Sequence, residues 1–387
     1  MSDSASFDLE GALRPPLRSL RGYEPIDPPE QVAARYGVAP EAIVKLDGNE
    51  NPYGPSPRAL EALAGGYAAH RYPDPEQRRL RGALGARHGV PPECIVAGAG
   101  ADEIIDLVFR IFVEAGDRVV IASPTFGMYP FGAEIAGAEL VDVPRRDDWS
   151  VDLDALAAAC EGAKAVFLPS PNNPTGGLLP PGAAERLRTS GAIVVIDEAY
   201  VEFASGREGG HSGSPSLADR AAEDGERGEA PLIVLRTFSK WAGLAGLRVG
   251  YGVMPAPVAS LLMQCKQPYG VSTAGEAAAL ASLEDAALLD ERACEIAGER
   301  DRLAAELRAG GWLEPVPSQA NFLLCRLTSG SGAALREALA RRGVFVRFFG
   351  HERLRDHVRI SIGTPEDSER LLAALSEARA EVEGRAA

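Results

Sequence analysis

The sequence predicts an α/β fold with two parts: a large domain whose mostly parallel sheet lies between helices, and a smaller α/β C-terminal domain. Two observations predict it. Short runs of β-branched residues that end in turn residues alternate with stretches of helical period rich in Ala, Leu, Glu and Arg, and such alternation is typical of βαβ units. The length of 387 residues, 45% of them hydrophobic, is enough for a large core divided between two domains.

Seven runs are expected to form the strands of the large sheet: 95–97, 118–122, 140–143, 165–168, 192–196, 232–235 and 249–253. Beyond about residue 275 helical periodicity dominates, and three further runs are expected to form strands of the smaller domain: 321–325, 344–347 and 358–362. The domain organisation that follows has three parts: an N-terminal segment at 1–50 that packs on the small domain, a large domain at 51–275 and a small domain at 276–387.

Residues 208–229 interrupt this alternation and are rich in Gly, Glu, Asp and Ser. That composition predicts a surface excursion. Within it, residues 217–222 could form a short helix.

Charge and composition exclude several classes of protein. The net charge of −15 and the pI near 5.0 argue against a nucleic-acid partner, because neutralising phosphates needs a basic face. No run approaches ~18 apolar residues, and the first residues lack the basic and apolar regions of an export signal, so we expect a cytoplasmic protein without a membrane partner. The five cysteines are scattered without a CxxC pair, so neither a disulfide framework nor a metal site is expected.

Lysine is rare, since only four of the 40 Lys and Arg residues are lysines: Lys45, Lys164, Lys240 and Lys266. An amine can lose its proton and condense with a carbonyl, whereas a guanidinium remains charged. For three of the four, a chance remainder of an Arg-biased composition explains the lysine. Lys240 differs, because Thr237 and Ser239 precede it closely and Arg248 follows.

Chemistry-bearing residues in such a sheet belong at the carboxyl ends of strands. One motif there is Gly98-Ala-Gly-Ala-Asp-Glu103, before a helix expected at 104–112. Free N–H groups of Gly100, Ala101 and Asp102 would bind a phosphate, and Asp102 is expected to cap the helix. The third Gly of a dinucleotide fingerprint is missing.

Two further motifs follow buried strands. Pro169-Ser-Pro-Asn-Asn-Pro-Thr-Gly176 forms a rigid turn that presents asparagine amides, although a plain turn has the same composition. Ile193-Val-Val-Ile-Asp-Glu-Ala-Tyr200 delivers Asp197 and then Tyr200. Apolar residues followed by Asp-Glu also describe an ATPase strand, but the chain has no GxxxxGK[ST].

These motifs in this order resemble the fold-type-I pyridoxal 5′-phosphate (PLP) aminotransferases over nearly the whole chain. Within them the sequence is most similar to the histidinol-phosphate aminotransferases. The residues that carry the closer likeness are Leu46-Asp-Gly-Asn-Glu-Asn-Pro-Tyr-Gly-Pro-Ser-Pro57, Arg71-Tyr-Pro73, Ala99 to Leu107, Pro124-Thr-Phe-Gly-Met-Tyr129, Lys266-Gln-Pro-Tyr269 and Val358-Arg-Ile-Ser-Ile-Gly-Thr364.

The resemblance implies roles around the cofactor ring. Lys240 would bind PLP covalently and later move the substrate proton, and Asp197 would pair with the protonated pyridine nitrogen. Asn173 and Tyr200 would donate hydrogen bonds to the ring phenolate oxygen. Phe126 would stack on the ring, at a position where the family often has Tyr.

The resemblance also implies which groups hold the cofactor phosphate. The N–H groups of the helix start would bind it, and charge-assisted bonds from Ser239 and Arg248 would complete the site, with Thr237 assisting. Tyr72 would reach the phosphate from the neighbouring subunit of a homodimer.

For substrate binding, the resemblance implies that Arg359 grips a carboxylate and that Arg347 helps to hold a substrate phosphate. Asn51, Tyr23 and Tyr72 belong to the expected pocket. One departure is Gly270, where relatives often carry Asn.

The expected reaction transfers an amino group between glutamate and imidazole-acetol phosphate, giving histidinol phosphate and 2-oxoglutarate, in histidine biosynthesis. Two other enzymes of this fold remain alternatives, an aromatic amino acid aminotransferase and a threonine-phosphate decarboxylase. A non-catalytic PLP-binding regulator would normally carry an added DNA-binding module, and the sequence has no basic N-terminal domain of that kind.

Overall fold

The computed structural model of the protein describes residues 8–20, 22, 28–204, 216–223 and 229–384. The expected pocket residue Tyr23 lies outside these residues, as does most of the excursion expected at 208–229. The described part of that excursion contains the short helix expected there, at Ala218–Glu223.

Twelve strands occur in the described residues: β1 (Val44–Leu46), β2 (Ile95–Gly98), β3 (Arg118–Ile121), β4 (Glu139–Asp142), β5 (Ala165–Pro169), β6 (Ile193–Asp197), β7 (Leu232–Thr237), β8 (Gly250–Val253), β9 (Leu313–Pro315), β10 (Phe322–Leu327), β11 (Val344–Val346) and β12 (His357–Ser361). All ten predicted strands are confirmed, each within two residues at either end. The prediction missed β1 and β9, which have three residues each.

Fourteen α-helices accompany them: α1 (Leu9–Ala12), α2 (Pro29–Tyr36), α3 (Pro57–Ala64), α4 (Arg78–His88), α5 (Ala101–Phe112), α6 (Met128–Ala136), α7 (Leu153–Cys160), α8 (Ala183–Arg188), α9 (Ala218–Glu223), α10 (Ala256–Cys265), α11 (Thr273–Glu284), α12 (Ala286–Ala309), α13 (Gly332–Ala340) and α14 (Pro365–Gly384). None of these helices, in the part of the chain that the structure describes, is both long and apolar enough to cross a membrane.

The large sheet has seven strands in the order β2-β8-β7-β6-β5-β3-β4. Among these seven described strands, β8 alone runs opposite to the other six, so the sheet is mostly parallel as predicted. Strands β5 and β6 are buried along their whole length. Their alternate residues enter two separate hydrophobic clusters, for example Val194 in one and Val195 in the other. Both faces of the sheet are therefore covered, which explains the continuous apolar runs in the sequence.

The C-terminal part of the chain contains a smaller antiparallel sheet of order β12-β10-β9. Strand β11 does not join it along its length. It pairs in parallel with β1 instead, and Arg347, directly after β11, bridges to Arg359 of β12. Residues near position 45 are thereby connected to the C-terminal sheet.

The N-terminal segment divides its contacts between two regions. Its later part contacts the C-terminal region through β1 and through Tyr36, whose hydroxyl donates to Glu337 at 2.7 Å. Its earlier part lies against α6, where Arg14 Nη2 donates to the Ile135 carbonyl at 2.9 Å. The expectation that the whole segment packs on the small domain is therefore wrong for the residues near Arg14.

Gly250, the first residue of β8, allows the strand to approach the start of α5. A Cβ at this position would lie 2.3 Å from the Ala101 nitrogen and 2.5 Å from the Gly100 carbonyl carbon. Both are backbone atoms, so neither can move away as a flexible side chain could.

We expect Gly250→Ala to destabilise the protein by about 1–3 kcal/mol, because the added methyl group overpacks a rigid backbone contact. Gly298→Ala is the matched control, since Gly298 lies inside α12 and a Cβ there meets nothing within 4 Å. That control should be more stable than wild type by about 1 kcal/mol. Denaturant unfolding measures both. Equal stability of Gly250→Ala and wild type would contradict the close contact.

Candidate active site

A cavity of about 210 Å³ lies where the carboxyl ends of β5, β6 and β7 meet the start of α5. This is the edge at which functional residues of a parallel sheet are expected. The cavity brings together eleven of the residues singled out from the sequence: Ala101, Asp102, Phe126, Asn173, Asp197, Tyr200, Thr237, Ser239, Lys240, Arg248 and, from β12, Arg359.

Lys240 lies three residues after β7 and points its amine into this cavity. Its Nζ donates a hydrogen bond to the Gly48 carbonyl at 2.9 Å. Burial, and after it the positive charge of Arg359, lower the pKa of Lys240 to about 8. A substantial fraction of the amine is therefore neutral near physiological pH and available as a nucleophile or base.

Asp197 ends β6 and is buried beneath the cavity. Burial raises the pKa of Asp197 to about 6. Two donors oppose that rise by stabilising the carboxylate: Tyr129 Oη at 2.7 Å and the Ala199 N–H at 3.0 Å. Tyr129 is fully buried in the first turn of α6, with its ring stacked on Phe167 at 5.4 Å between centroids. The pair presents a carboxylate oxygen at a fixed place, suited to a cationic ring nitrogen.

The start of α5 forms an anion cradle with Arg248. Gly100 has a φ of +84°, and a Cβ there would lie 2.4 Å from Arg248 Nη2. The guanidinium can approach the helix start only because this position lacks a side chain. Arg248 also reaches Ser239 Oγ at 3.5 Å. The Gly100 N–H, expected to bind the phosphate, donates instead to the Gly98 carbonyl at 2.8 Å. The helix N–H groups of Ala101 and Asp102, a hydroxyl and a guanidinium thus converge, as a phosphate site requires.

Asp102 does not cap α5, contrary to the expectation from the sequence. The N-cap position is Gly100, without a side-chain hydrogen bond, and Asp102 Oδ2 pairs with Arg248 Nη2 at 3.1 Å. The turn before the helix is held by Glu103 instead, whose Oε2 accepts from the Ala99 N–H at 2.5 Å. The reason is that the helix begins at Ala101, so Asp102 lies inside the first turn, past the N-cap position.

Glu103 also lies next to Gly270, where relatives often carry Asn. A Cβ at Gly270 would lie 2.8 Å from Glu103 Oε2. A side chain at position 270 therefore requires the flexible end of Glu103, which holds the turn before α5, to shift.

Asn173 and Arg359 are joined across the cavity. Arg359 Nη1 donates to Asn173 Oδ1 at 2.6 Å, and its Nη2 donates to the Asp47 carbonyl at 2.5 Å. The first bond fixes the amide of Asn173 with its oxygen toward Arg359, so the Nδ2 donor is the end that remains for a ligand. Tyr200 lies in the same cavity, and its oxygen accepts from Asn49 Nδ2 at 3.1 Å.

Arg347 and Tyr72 do not line the cavity in the described residues. Arg347 is joined to Arg359 through two backbone hydrogen bonds, of 3.0 and 2.8 Å, and both guanidinium groups lie within 6 Å of the Phe349 ring centre. Tyr72 is 80% exposed and stacks on Tyr269, itself 44% exposed, at 4.4 Å between ring centroids.

Comparisons with known proteins show the family of the chain. The family "Aminotransferase class I and II" matches residues 41–375. The chain belongs to this family. A histidinol-phosphate aminotransferase from Roseiflexus castenholzii is 49% identical over 95% of this chain and 98% of its own length. The chloroplastic histidinol-phosphate aminotransferase of Nicotiana plumbaginifolia is 45% identical over 94% of this chain and 86% of its own length.

A solved structure shows the same fold. The crystal structure of histidinol-phosphate aminotransferase from Sinorhizobium meliloti, in complex with pyridoxal-5′-phosphate, aligns with a TM-score of 0.82 at 30% identity. The alignment covers 97% of this chain and 99% of that chain. The fold of this aminotransferase is therefore the fold-type-I architecture that the sequence resemblance implied.

Asn51, expected to contact substrate, makes hydrogen bonds to other residues of the chain. Its Nδ2 donates to the carbonyls of Lys240 and Trp241, each at 3.0 Å, and its Oδ1 accepts from the Tyr53 N–H at 3.0 Å. Asn51 therefore supports the backbone that carries Lys240. Its expected contact with substrate stays a prediction.

Two residues of the site were missed by sequence reasoning, Asn49 and Tyr129. Both lie inside motifs that the family resemblance had singled out. Asn49 was overlooked in favour of Asn51, although an asparagine before a turn tolerates the left-handed backbone that position 49 adopts, with a φ of 52°. Tyr129 lies within the Pro124–Tyr129 motif, but its bond to Asp197 depends on where α6 packs, which the local sequence does not indicate.

We expect Tyr129→Phe to weaken PLP binding and to lower kcat about tenfold or more, because a hydrogen bond to a charged group is worth about 1.5–3 kcal/mol. Without the Tyr129 donor the pKa of Asp197 rises above its present value of about 6. The carboxylate form exists only above that pKa, so PLP binding by the variant should fail at a higher pH than in wild type.

Titrating PLP into apoenzyme at several pH values measures this shift. Tyr36→Phe is the matched control, because it removes a hydroxyl that also donates to a carboxylate at 2.7 Å, but outside the cavity lining. The control should bind PLP as wild type does. Unchanged PLP binding and unchanged kcat in Tyr129→Phe would show that Asp197 needs no such donor.

Proposed function

We propose that the described cavity binds PLP and carries out the transamination between glutamate and imidazole-acetol phosphate that yields histidinol phosphate. The observation that carries the proposal is the convergence of the Lys240 amine, the buried Asp197 carboxyl and the start of α5 on one cavity of about 210 Å³. An amine for a carbonyl, a carboxylate for a pyridinium and an anion cradle for a phosphate complement the three polar parts of PLP.

The residues present fit the cofactor on two further grounds. Burial opposes ionisation of Asp197, and a cationic ring nitrogen would restore the carboxylate. Gly250 leaves the Ala101 nitrogen uncovered by a neighbouring side chain, since a Cβ at position 250 would lie 2.3 Å from it. When bound, PLP supplies an electron sink that stabilises the carbanion formed as the substrate Cα loses its proton.

Lys240 has two tasks in the proposal, covalent attachment and proton transfer. Its pKa of about 8 makes both feasible near neutral pH. Gly48 and Asn51 hold the amine and the loop in place. Asp197 keeps the ring nitrogen protonated, and Tyr129 keeps Asp197 ionised and oriented.

Asn173 and Tyr200 orient the ring by donating to its phenolate oxygen, and Phe126 covers one face of it. The T-shaped contact of Phe126 with Tyr129, at 5.6 Å between centroids, holds the Phe126 ring in place. Ser239, Arg248 and Thr237 complete the phosphate site. Thr237 acts on the loop, because its Oγ1 accepts from the Ser239 N–H at 3.1 Å.

Arg359 is proposed to bind the carboxylate of glutamate, since its planar fork suits bidentate contact. Arg347 is proposed to hold the phosphate of histidinol phosphate. The backbone pairing of these two residues, and the Phe349 ring that both guanidiniums approach, support the assignment of two neighbouring anion sites.

We also propose that the protein acts in the cytoplasm as a homodimer, with Tyr72 completing the partner's phosphate site. The exposure of Tyr72 and its stacking on Tyr269 support this proposal. An aromatic pair with this exposure on a single chain is typical of an interface.

Product analysis with histidinol phosphate and 2-oxoglutarate tests the proposed reaction. Glutamate should form, with a higher kcat/KM than phenylalanine gives. Phenylalanine as the preferred donor would favour the aromatic aminotransferase, and CO2 released from threonine phosphate would favour the decarboxylase.

Arg347→Ala should lower kcat/KM for histidinol phosphate about tenfold to a hundredfold, because a charge-assisted contact worth about 1.5–3 kcal/mol is lost. Phenylalanine, which has no phosphate, should be converted almost as by wild type. Steady-state kinetics with both donors measures the difference. Equal losses for both substrates would refute the phosphate role.

Complementation tests the shared site. Lys240→Ala and Tyr72→Ala chains, each poorly active, should regain activity when unfolded and refolded together, because random pairing makes about half of the dimers mixed and each mixed dimer has one intact site. About a quarter of all sites should recover. With subunit exchange confirmed, a mixture no more active than the average of the two variants would place Tyr72 in its own chain's site.

A further inference from the structure

Asn49 binds the same hydroxyl of Tyr200 that is proposed to donate to the cofactor. The amide nitrogen of Asn49 donates to the Tyr200 oxygen at 3.1 Å, and Asn49 is only 1% exposed. An amide nitrogen has hydrogens to give and no lone pair to offer. The Tyr200 oxygen is therefore the acceptor in this bond, and its own hydrogen is directed elsewhere.

The orientation of the Asn49 amide is set by Ser361, the last residue of β12. Ser361 Oγ accepts from the Asn49 backbone N–H at 2.8 Å and donates its own hydrogen to Asn49 Oδ1 at 2.9 Å. The amide oxygen therefore faces Ser361, and the amide nitrogen faces Tyr200.

A further bond fixes the backbone of Asn49. Asn321 Nδ2, directly before β10, donates to the Asn49 carbonyl at 3.0 Å. Both Ser361 and Asn321 are buried, and both belong to ends of strands in the C-terminal sheet. The position of the Tyr200 hydroxyl is thus tied to that sheet through one side chain.

We propose that Asn49 is a positioning residue that directs the Tyr200 hydroxyl hydrogen at the phenolate oxygen of the cofactor, and that Ser361 and Asn321 hold it in that position. The proposal rests on the proposed contact of Tyr200 with PLP. Its physical basis is cooperativity: a hydroxyl that accepts a hydrogen bond becomes a stronger donor.

The consequence reaches Lys240. A stronger hydrogen bond from Tyr200 stabilises the negative charge on the phenolate oxygen of the cofactor. That oxygen then attracts less strongly the proton on the nearby nitrogen that joins Lys240 to the cofactor, so the protonated form of this nitrogen is less stable. Asn49 should therefore keep the pKa of that nitrogen low. The other charges that act on Lys240 are those of Arg359, Glu50, Lys45 and Arg248, and substitutions at position 49 alter none of them.

The test is a pH titration of the visible absorption band of the holoenzyme, which reports the pKa of that nitrogen. Asn49→Gly is the chosen variant, because the φ of 52° would strain alanine but not glycine. The pKa should rise by roughly 0.1–0.6 of a pH unit, since cooperativity adds about 10–30% to a charged hydrogen bond worth about one to two units. Tyr200→Phe should raise it further.

A double variant separates this role from simple support of the fold. If Asn49 acts through Tyr200, Asn49→Gly should cause no additional rise in a Tyr200→Phe background. Ser361→Ala should cause a smaller rise than Asn49→Gly, and it provides the measurement if Asn49→Gly does not fold. An unchanged pKa in the folded variants, or an equal rise with and without the Tyr200 hydroxyl, would overturn the proposal.

Turnover of histidinol phosphate by the wild-type preparation distinguishes a failure of the proposed function from a failure of the proposed role of Asn49. Wild type that lacks this turnover would contradict the proposed function. Normal wild-type turnover, together with an unshifted pKa in Asn49→Gly and Ser361→Ala, would contradict the role of Asn49 alone.

Discussion

The cavity buries the Lys240 amine and the Asp197 carboxyl, and burial acts on the two groups in opposite directions. It lowers the pKa of the amine to about 8 and raises the pKa of the carboxyl to about 6. Removal from water thus disfavours the charged form of each group. The surrounding polar contacts, from Gly48 to Lys240 and from Tyr129 and Ala199 to Asp197, offset only part of that loss. A ligand that brings a carbonyl and a cationic ring nitrogen meets both needs at once, so affinity for the cofactor and reactivity at Lys240 have the same physical origin.

Most of the fold could be predicted from the sequence, because the central strands are buried on both faces and read as continuous apolar runs. Strand β6, for example, is buried throughout, and its boundaries were predicted within one residue. Strands β1 and β9 could not be predicted in the same way, since three residues give no measurable periodicity. The contact of Arg14 with the carbonyl of Ile135 depends on where α6 lies in space, and nothing in the local composition near Arg14 indicates it.

Residues of the site, too, could be predicted where a local sequence pattern places them and could not where a distant contact does. Residues placed by the end of a strand, such as Asp197, were found because parallel strands deliver their carboxyl ends to one edge. Residues placed by a partner far away in sequence were missed or misassigned. Asp102 has the chemistry of a helix cap, yet its carboxylate pairs with Arg248. The hydrogen bond of Asn51 to the Lys240 carbonyl was not predicted at all. Each partner is more than a hundred residues away, so the residues next to Asp102 or Asn51 in sequence do not indicate it.

The hydrogen bonds between Asn49 and Ser361 join residues 312 positions apart, and this separation affects how the protein folds. Contacts so distant along the chain form late, because a long loop must close before they can stabilise anything. The hydrogen bonds between Asn49 and Ser361 require β12, the last strand of the described residues. The C-terminal end of the chain therefore completes a site whose other polar residues lie mostly at the edge of the large sheet.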